Sequence, residues 1–236
     1  MSYKSLPTLK NGRSGALGAA CVVAACVIPT LAVAQSFEAQ LGVASQYIGK
    51  GLGKSAGDPS VSGSFEVGAN DFYGSVFAST AKLSQGADSE IISTIGYRPK
   101  LGEFSFDFSA MNRDLPGTRP GVDSNYMEYQ ADASRKFGPV STRLRVNYTP
   151  DGYAGTREAW WVELQGGVAL DKYTKATAAL ADRSADGGAD YRAWNVGVKR
   201  KLTDQVSLDL RWYDTDGHSF GEAYDGRLVA ALTLAL

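Results

Sequence analysis

The sequence has almost no cysteine and histidine. Among 236 residues there are 2 cysteines and 1 histidine. Both cysteines, Cys21 and Cys26, lie in an N-terminal segment that has the features of an export signal. Removal of that segment leaves a chain with neither a thiol nor a disulfide. An exported protein of this kind must obtain its stability from something other than covalent cross-links.

Beyond that segment the sequence also lacks long apolar runs. No stretch after residue 34 approaches the roughly 20 consecutive apolar residues that a membrane-spanning helix needs. If the chain lies in a membrane, it must cross it as strands.

The first residues are typical of a secretory signal peptide. Lys4, Lys10 and Arg13 precede an apolar run over residues 15–31, and small residues at 32–34 fit a cleavage site. The interpretation is a signal peptide over residues 1–34, cleaved after Ala34, followed by a mature domain over residues 35–236. A membrane anchor and a lipoprotein signal with Cys26 as the lipidated residue are the alternatives.

The mature chain carries little net charge. Cleavage removes three basic residues and no acidic one, which leaves 21 basic and 25 acidic residues and a net charge of about −4. This balance argues against a nucleic-acid partner.

Apolar and polar residues alternate over the last residues of the sequence. Leu228, Leu232, Leu234 and Leu236 fall on one face of an extended segment over residues 226–236. An apolar strand at the open edge of a sheet is an aggregation hazard. Pairing with the first predicted strand, residues 37–47, would close the sheet and leave the leucines facing lipid.

The same alternation predicts twelve strands. Long connections of about 6 to 12 residues follow the odd-numbered strands, and short ones of about 2 to 6 follow the even-numbered strands, as in bacterial outer-membrane barrels. The predicted fold is all-β: a closed antiparallel transmembrane β-barrel, with aromatic residues near the strand ends in interfacial girdles. The alanine-rich ninth segment would also allow a helix. The segments are residues 37–47, 61–67, 72–83, 90–97, 103–112, 126–133, 140–148, 160–165, 173–182, 194–199, 206–213 and 226–236.

Charged residues fall on the predicted inward faces. They would be costly in a dry core unless paired, and acceptable in a wet lumen. Arg143 and Arg145 are predicted to face Glu128 and Asp132 across a narrow bore, which would orient small charged solutes. The alternative is a static salt-bridged plug. The lumen-lining candidates are Glu66, Lys82, Asp107, Glu128, Asp132, Arg143, Arg145, Glu163, Lys199, Asp209, Arg211 and Arg227.

No catalytic, cofactor or metal site is expected. His218 lies beside Ser219, and a hydrolase would need a distant serine such as Ser79 or Ser184 to reach it. Acidic residues in the loops near 182–190 and 214–216 could bridge divalent cations to lipopolysaccharide, or could form a solvated acidic rim.

Several segments resemble one known family. They are Ser-Gln-Tyr-Ile-Gly-Lys-Gly at 45–51, Pro-Ser-Val-Ser-Gly-Ser at 59–64, Phe-Tyr-Gly-Ser at 72–75 with Ser79 beyond, and Asp-Ser-Asn-Tyr-Met-Glu at 123–128. Together they are similar to the TorF family of porins. The resemblance implies an outer-membrane porin.

The sequence therefore predicts a barrel in the bacterial outer membrane that passes small hydrophilic solutes without a cofactor. Its expected partners are outer-membrane lipid and lipopolysaccharide, and the barrel-assembly machinery. The alternatives are a closed structural or adhesive barrel with a salt-bridged interior and, from another class, a lipid hydrolase.

Overall fold

The computed structural model describes residues 35–236, which consist mainly of twelve long strands. Within that range no helix is long and apolar enough to cross a membrane. The predicted signal peptide and its cleavage site lie outside the described residues. The strands, labelled in chain order, are β1 Gln35–Ala44, β2 Ser60–Ala69, β3 Phe72–Thr80, β4 Ser89–Tyr97, β5 Phe104–Asp114, β6 Asn125–Phe137, β7 Val140–Gly152, β8 Arg157–Ala169, β9 Thr174–Ala185, β10 Tyr191–Lys201, β11 Val206–Thr215 and β12 Arg227–Ala235.

The strands form one closed antiparallel barrel, as predicted. Each pairs with the next in sequence, and β12 pairs with β1 in a register that places Leu234 opposite Leu41. The pairing of β4 with β5 completes the circle. Closure gives the backbone amides and carbonyls of every strand partners on both sides, as a sheet in lipid requires.

The connections alternate between long and short. The loops over residues 45–59, 81–88, 115–124, 153–156, 186–190 and 216–226 gather at one end of the barrel, here called the long-loop end. The short connections, such as residues 70–71 and 138–139, define the turn end. Strands β6 to β9 extend beyond their predicted limits, so the loops 153–156 and 186–190 are shorter than the sequence indicated.

The outer face of the barrel is apolar. Leu164 on β8 is 59% exposed and Leu180, its partner on β9, is 67% exposed. Aromatic pairs lie toward the strand ends, with ring centroids 4.6 Å apart for Phe72–Tyr97 and 4.5 Å apart for Tyr148–Trp160. An exposed apolar band flanked by aromatic rings is the surface that a bilayer covers.

Two local predictions were wrong. In β3 the exposed, outward side chains are Phe72 and Val76, while Tyr73 and Phe77 face inward, the reverse of the faces that a lumen-facing Lys82 on this strand would require. Lys82 was placed on this strand, but β3 ends at Thr80. Two large apolar or aromatic residues on each face of one strand blur the alternation that assigns the faces.

Strand β1 is shorter than predicted, and β9 is a strand throughout. Because β1 ends at Ala44, Tyr47 belongs to the loop rather than to an interfacial girdle. Its ring lies 6.0 Å from that of Phe77, inside the barrel. The alanine-rich segment pairs with β8 and β10 along its length, which removes the helical alternative.

Candidate functional site

The first loop, residues 45–59 and here called L1, folds into the barrel. Its tip is a two-strand hairpin in which Ile48 pairs with Gly53. Lys50 and Gly51 both have positive φ, 51° and 80°, as a tight primed turn requires. Gly51 cannot be replaced without displacement, because a Cβ there would lie 2.7 Å from the Cβ of Ala193 on β10. The Tyr191 hydroxyl also donates to the carbonyl of Lys50 at 2.8 Å.

On the opposite wall, L1 is held by two buried carboxylates. Glu90 on β4 and Glu128 on β6 are both 0% exposed. Lys54 Nζ donates to both oxygens of Glu90, at 2.7 and 2.9 Å, and Lys50 Nζ donates to Glu128. Arg113 on β5 bridges the two carboxylates, with Nη1 2.7 Å from Glu90 and Nη2 3.0 Å from Glu128.

Neutral groups complete the coordination of these carboxylates. The Tyr47 hydroxyl donates to Glu90 at 2.6 Å. Asn147 Nδ2 and the Thr149 hydroxyl donate to Glu128 at 3.0 and 3.2 Å. A buried carboxylate is tolerated when several donors replace its water, so these contacts explain why both acids can be fully covered.

Burial also lowers the pKa values of the two lysines of L1. Removal of water lowers the pKa of Lys50 to about 8, although the Glu128 carboxylate favours the ammonium form. Burial likewise lowers the pKa of Lys54 below its usual range, against the effect of Glu90. Both L1 lysines therefore lose their charge at a lower pH than an exposed lysine does.

L1 lies between two cavities in the lumen. The outer cavity, at the long-loop end, has a volume of about 650 Å³, and the inner one has about 330 Å³. Both are lined by Ile48, Lys50, Arg113 and Glu128, which form the wall between them. This charged wall between the two cavities is here called the constriction.

The charged residues of the inner cavity pair along the wall rather than across it. Arg145 is bidentate to Asp132 on the neighbouring strand, at 2.6 and 2.8 Å. Arg143 lies 2.7 Å from Glu163 on its other neighbour. The predicted interaction of acid and base across the bore is thus replaced by lateral pairs.

Arg211, and Arg98 at the turn end, also pair with acids along the wall. Arg211 lies 3.2 Å from Asp209 on its own strand. Arg98, just beyond β4, lies 2.5 Å from Glu66 and 3.1 Å from Asp107, and its guanidinium carbon is 3.6 Å from the centroid of the Tyr73 ring.

Three candidates lie outside these lateral pairs. Lys199, on the inward face of β10, is opposite Asp209 of β11 in the strand register and is exposed. Arg227, the first residue of β12, donates to Gln46 of L1 at 3.1 Å. Lys82 lies in the loop after β3 with its side chain 64% exposed, and it pairs with Asp58 of L1.

The sequence interpretation missed the cations of the constriction. Arg113 was assigned to a loop, yet it continues the inward alternation of Asp107, Ser109 and Met111 to the end of β5. That continuation was the signal that could have identified it. Glu90 was placed on an inward face but was not among the twelve candidates, and Lys50 and Lys54 were read as part of a polar loop.

Within residues 35–236, His218 and the loop acids singled out in the sequence bond to near neighbours. His218 Nε2 lies 2.7 Å from Asp214, and within residues 35–236 its side chain has no serine partner. No group of three or more metal-ligating side chains occurs in the described part of the chain. The loop acids are engaged locally instead: Asp216 accepts from the Arg192 amide at 2.7 Å, and Asp190 accepts from the Ala185 amide at 2.8 Å.

Solved structures similar to this fold are outer-membrane porins and channels. The KdgM porin has a TM-score of 0.57 at 10% identity, covering 84% of this chain and 98% of that one. The NanC porin has a TM-score of 0.54 at 8% identity, with coverages of 85% and 98%. The COG4313 outer membrane channel from Pseudomonas putida F1 has a TM-score of 0.50 at 12% identity, with coverages of 89% and 100%.

Sequence comparison places the chain in a family. No curated protein matches it. The family model Gcw_chp, described as a bacterial protein of unknown function, matches residues 30–232, and the chain therefore belongs to that family.

Proposed function

We propose that this chain is a porin of the outer membrane that passes small hydrophilic solutes by passive diffusion. The observation that carries the proposal is the pair of charge-lined cavities of about 650 and 330 Å³ on either side of L1. A structural barrel closed by side chains would fill this space. Ion pairs such as Arg145–Asp132 would be costly in a dry interior and are inexpensive beside water.

The inward charged side chains would line the pore, and the constriction would limit the size of the solutes that pass. From the predicted set we propose Glu66, Asp107, Glu128, Asp132, Arg143, Arg145, Glu163, Lys199, Asp209 and Arg211 as lining residues, with Arg227 supporting L1. To these we add Arg113, Glu90, Lys50 and Lys54. Lys82 is omitted because it lies in the loop after β3.

Location, partners and solute class belong to the same proposal. Export with cleavage after Ala34, insertion by the barrel-assembly machinery, and contact with lipid and lipopolysaccharide are consistent with the apolar outer band. The TorF resemblance points the same way. KdgM has been seen with disordered oligogalacturonate, and we propose that solutes here are likewise small and hydrophilic. Passive diffusion of this kind would need neither a cofactor nor a catalytic group.

A closed structural or adhesive barrel is the second candidate. The contacts of L1 favour it, because L1 is bonded both to Glu128 on one wall and to Tyr191 on the other. If these contacts never open, the loop is a plug rather than a constriction.

Planar-bilayer recording of the refolded chain separates the two candidates. We compare the intact chain with a variant in which residues 48–53 are replaced by two glycines. Deletion of residues 120–121, at the exposed tip of another long loop, is the matched control. The porin predicts discrete steps in the intact chain, larger steps in the L1 variant and unchanged steps in the control. A folded intact chain that is silent, with steps only in the L1 variant, rejects the porin in favour of the plug.

A further inference from the structure

The outer cavity has the size and lining of a ligand site. Its volume of about 650 Å³ falls within the range of small-molecule pockets, about 300–1,000 Å³. It is reached between loops at the long-loop end, through residues such as Ser84, Tyr153 and Ala189. The constriction forms its floor. A solute entering from the long-loop end would meet this cavity first.

The charge of the lining is positive. Four cations line the cavity, namely Lys50, Lys54, Arg113 and Arg183, against the two carboxylates of Glu90 and Glu128. Both carboxylates are fully covered and already coordinated by lysine and Arg113. The two acids therefore present no free oxygen to a solute, while the excess of positive charge remains.

Arg183 differs from the other inward arginines. Arg113, Arg143, Arg145 and Arg211 each have a carboxylate partner. Among the described residues no carboxylate lies within 4.0 Å of the Arg183 guanidinium. Its Nη1 donates to the Ala189 carbonyl at 2.9 Å, which fixes the group at the cavity wall. Its other N–H groups are available for a bidentate contact with an anion.

Aromatic rings line the same cavity, and the guanidinium carbon of Arg183 lies 5.6 Å from the centroid of the Tyr191 ring. Tyr126, Tyr153, Tyr191 and Tyr224 all line the cavity. Tyr191 and Tyr224 pack edge to face with centroids 5.2 Å apart, and Tyr153 is anchored by its hydroxyl to the Ser84 carbonyl at 2.5 Å. Rigid rings of this kind provide flat apolar surface with polar tips, which suits a ring-shaped solute.

We propose that the outer cavity binds small organic carboxylates that carry a ring, with the carboxylate on Arg183 and the ring against the tyrosines. The inference deepens the proposed porin by naming a solute class. It rests on that proposal only in treating the bound anion as cargo, because binding itself does not require conduction.

Isothermal titration calorimetry on the refolded full chain tests the binding. The probes are benzoate and glucuronate, with acetate as a carboxylate without a ring, and benzamide and glucose as uncharged rings. We expect at least one ringed carboxylate to bind about tenfold or more tightly than acetate and than its neutral analogue. The ring that prevails distinguishes an aromatic solute from a saccharide. Equal binding of charged and neutral probes, or of acetate and both ringed acids, overturns the proposal.

Variants locate the site. Arg183→Gln should weaken binding about tenfold or more, and Arg183→Lys should restore part of it, since a lysine keeps the charge but not the planar fork. Arg192→Gln is the matched control, because Arg192 lies 3.5 Å from Asp182 and is exposed outside the cavity. Its affinity should remain within about twofold of the wild type. Unchanged binding in Arg183→Gln, or an equal loss in Arg192→Gln, overturns the assignment.

Calorimetry tests the binding site and bilayer recording tests the porin, so either proposal can fail while the other stands. Binding by a barrel that is silent in the bilayer leaves the site intact and removes the porin. Conduction without binding of any probe leaves the porin intact and removes the site.

Discussion

Removing the Arg113 guanidinium should strongly destabilise the barrel. Arg113 is the only group that contacts both Glu90 and Glu128 among the residues that the structure describes. In Arg113→Gln each carboxylate keeps one lysine, Lys54 or Lys50. Breaking a buried ion pair costs about 3–5 kcal/mol. Because a lysine remains at each acid and water occupies the adjoining cavities, we expect the lower limit, about 3 kcal/mol.

A change of that size is readily measured. At about 1.4 kcal/mol for each factor of ten, the folding equilibrium constant should fall by about a hundredfold. The assay is urea unfolding in lipid vesicles, followed by tryptophan fluorescence, for which Trp161 is a buried reporter at 4% exposure. The matched control is Arg192→Gln, whose exposed ion pair should contribute at most about 1 kcal/mol.

The double variant tests the cause. Combining Arg113→Gln with Glu128→Gln removes both members of one contact, so the double variant should lose less stability than the sum of the two single variants. A loss in Arg113→Gln no larger than that of the control, or a double variant that loses the sum of both single effects, would refute the view that Arg113 neutralises two buried acids.

Two further outcomes follow from the loop and from the outer face. The anion preference measured in bilayers should fall as pH rises through about 8, because burial lowers the pKa of Lys50 to about 8 and its ammonium is then lost. The Lys50→Arg variant should keep its anion preference across this range. An equal decline in both proteins would contradict the assignment of this pH dependence to Lys50. Leu41→Arg, on the lipid face of β1, should lower the free energy of unfolding in vesicles by about 2–4 kcal/mol. Gln40→Arg, on the lumen face, should change it by about 0.5 kcal/mol or less. Similar losses in both variants would show that the two faces do not contact lipid and water respectively.

Much of the fold could be predicted because every strand of a barrel in lipid follows the same local rule. Each strand must alternate and must pair on both sides, so Leu228 and Leu232 define the outer face of β12 without any knowledge of the other strands. The rule weakens where a strand carries aromatic residues on both faces, as with Phe72 and Tyr73 in β3. The lipid-facing surface was therefore predictable, with the exception of that strand.

The constriction could not be predicted in the same way. The path of L1 is determined by tertiary contacts, such as the approach of Gly51 to Ala193, and no periodicity within residues 45–59 encodes them. Lys50 and Lys54 lie in a polar segment whose composition is typical of an exposed loop. The two prolines after Arg113 suggested an early loop, although the strand continues to Asp114. The lateral ion pairs depend on strand register, which alternation does not specify.

The inward path of L1 also affects the mechanical shape of the barrel. Strands in a cylinder are bonded only to their neighbours, so nothing in the pairing prevents the cross-section from flattening into an ellipse. L1 connects β4 and β6 to β10 through Glu90, Glu128 and Tyr191, which lie around different parts of the circumference. L1 thus acts as an internal brace that resists such flattening, because it links separate parts of the wall.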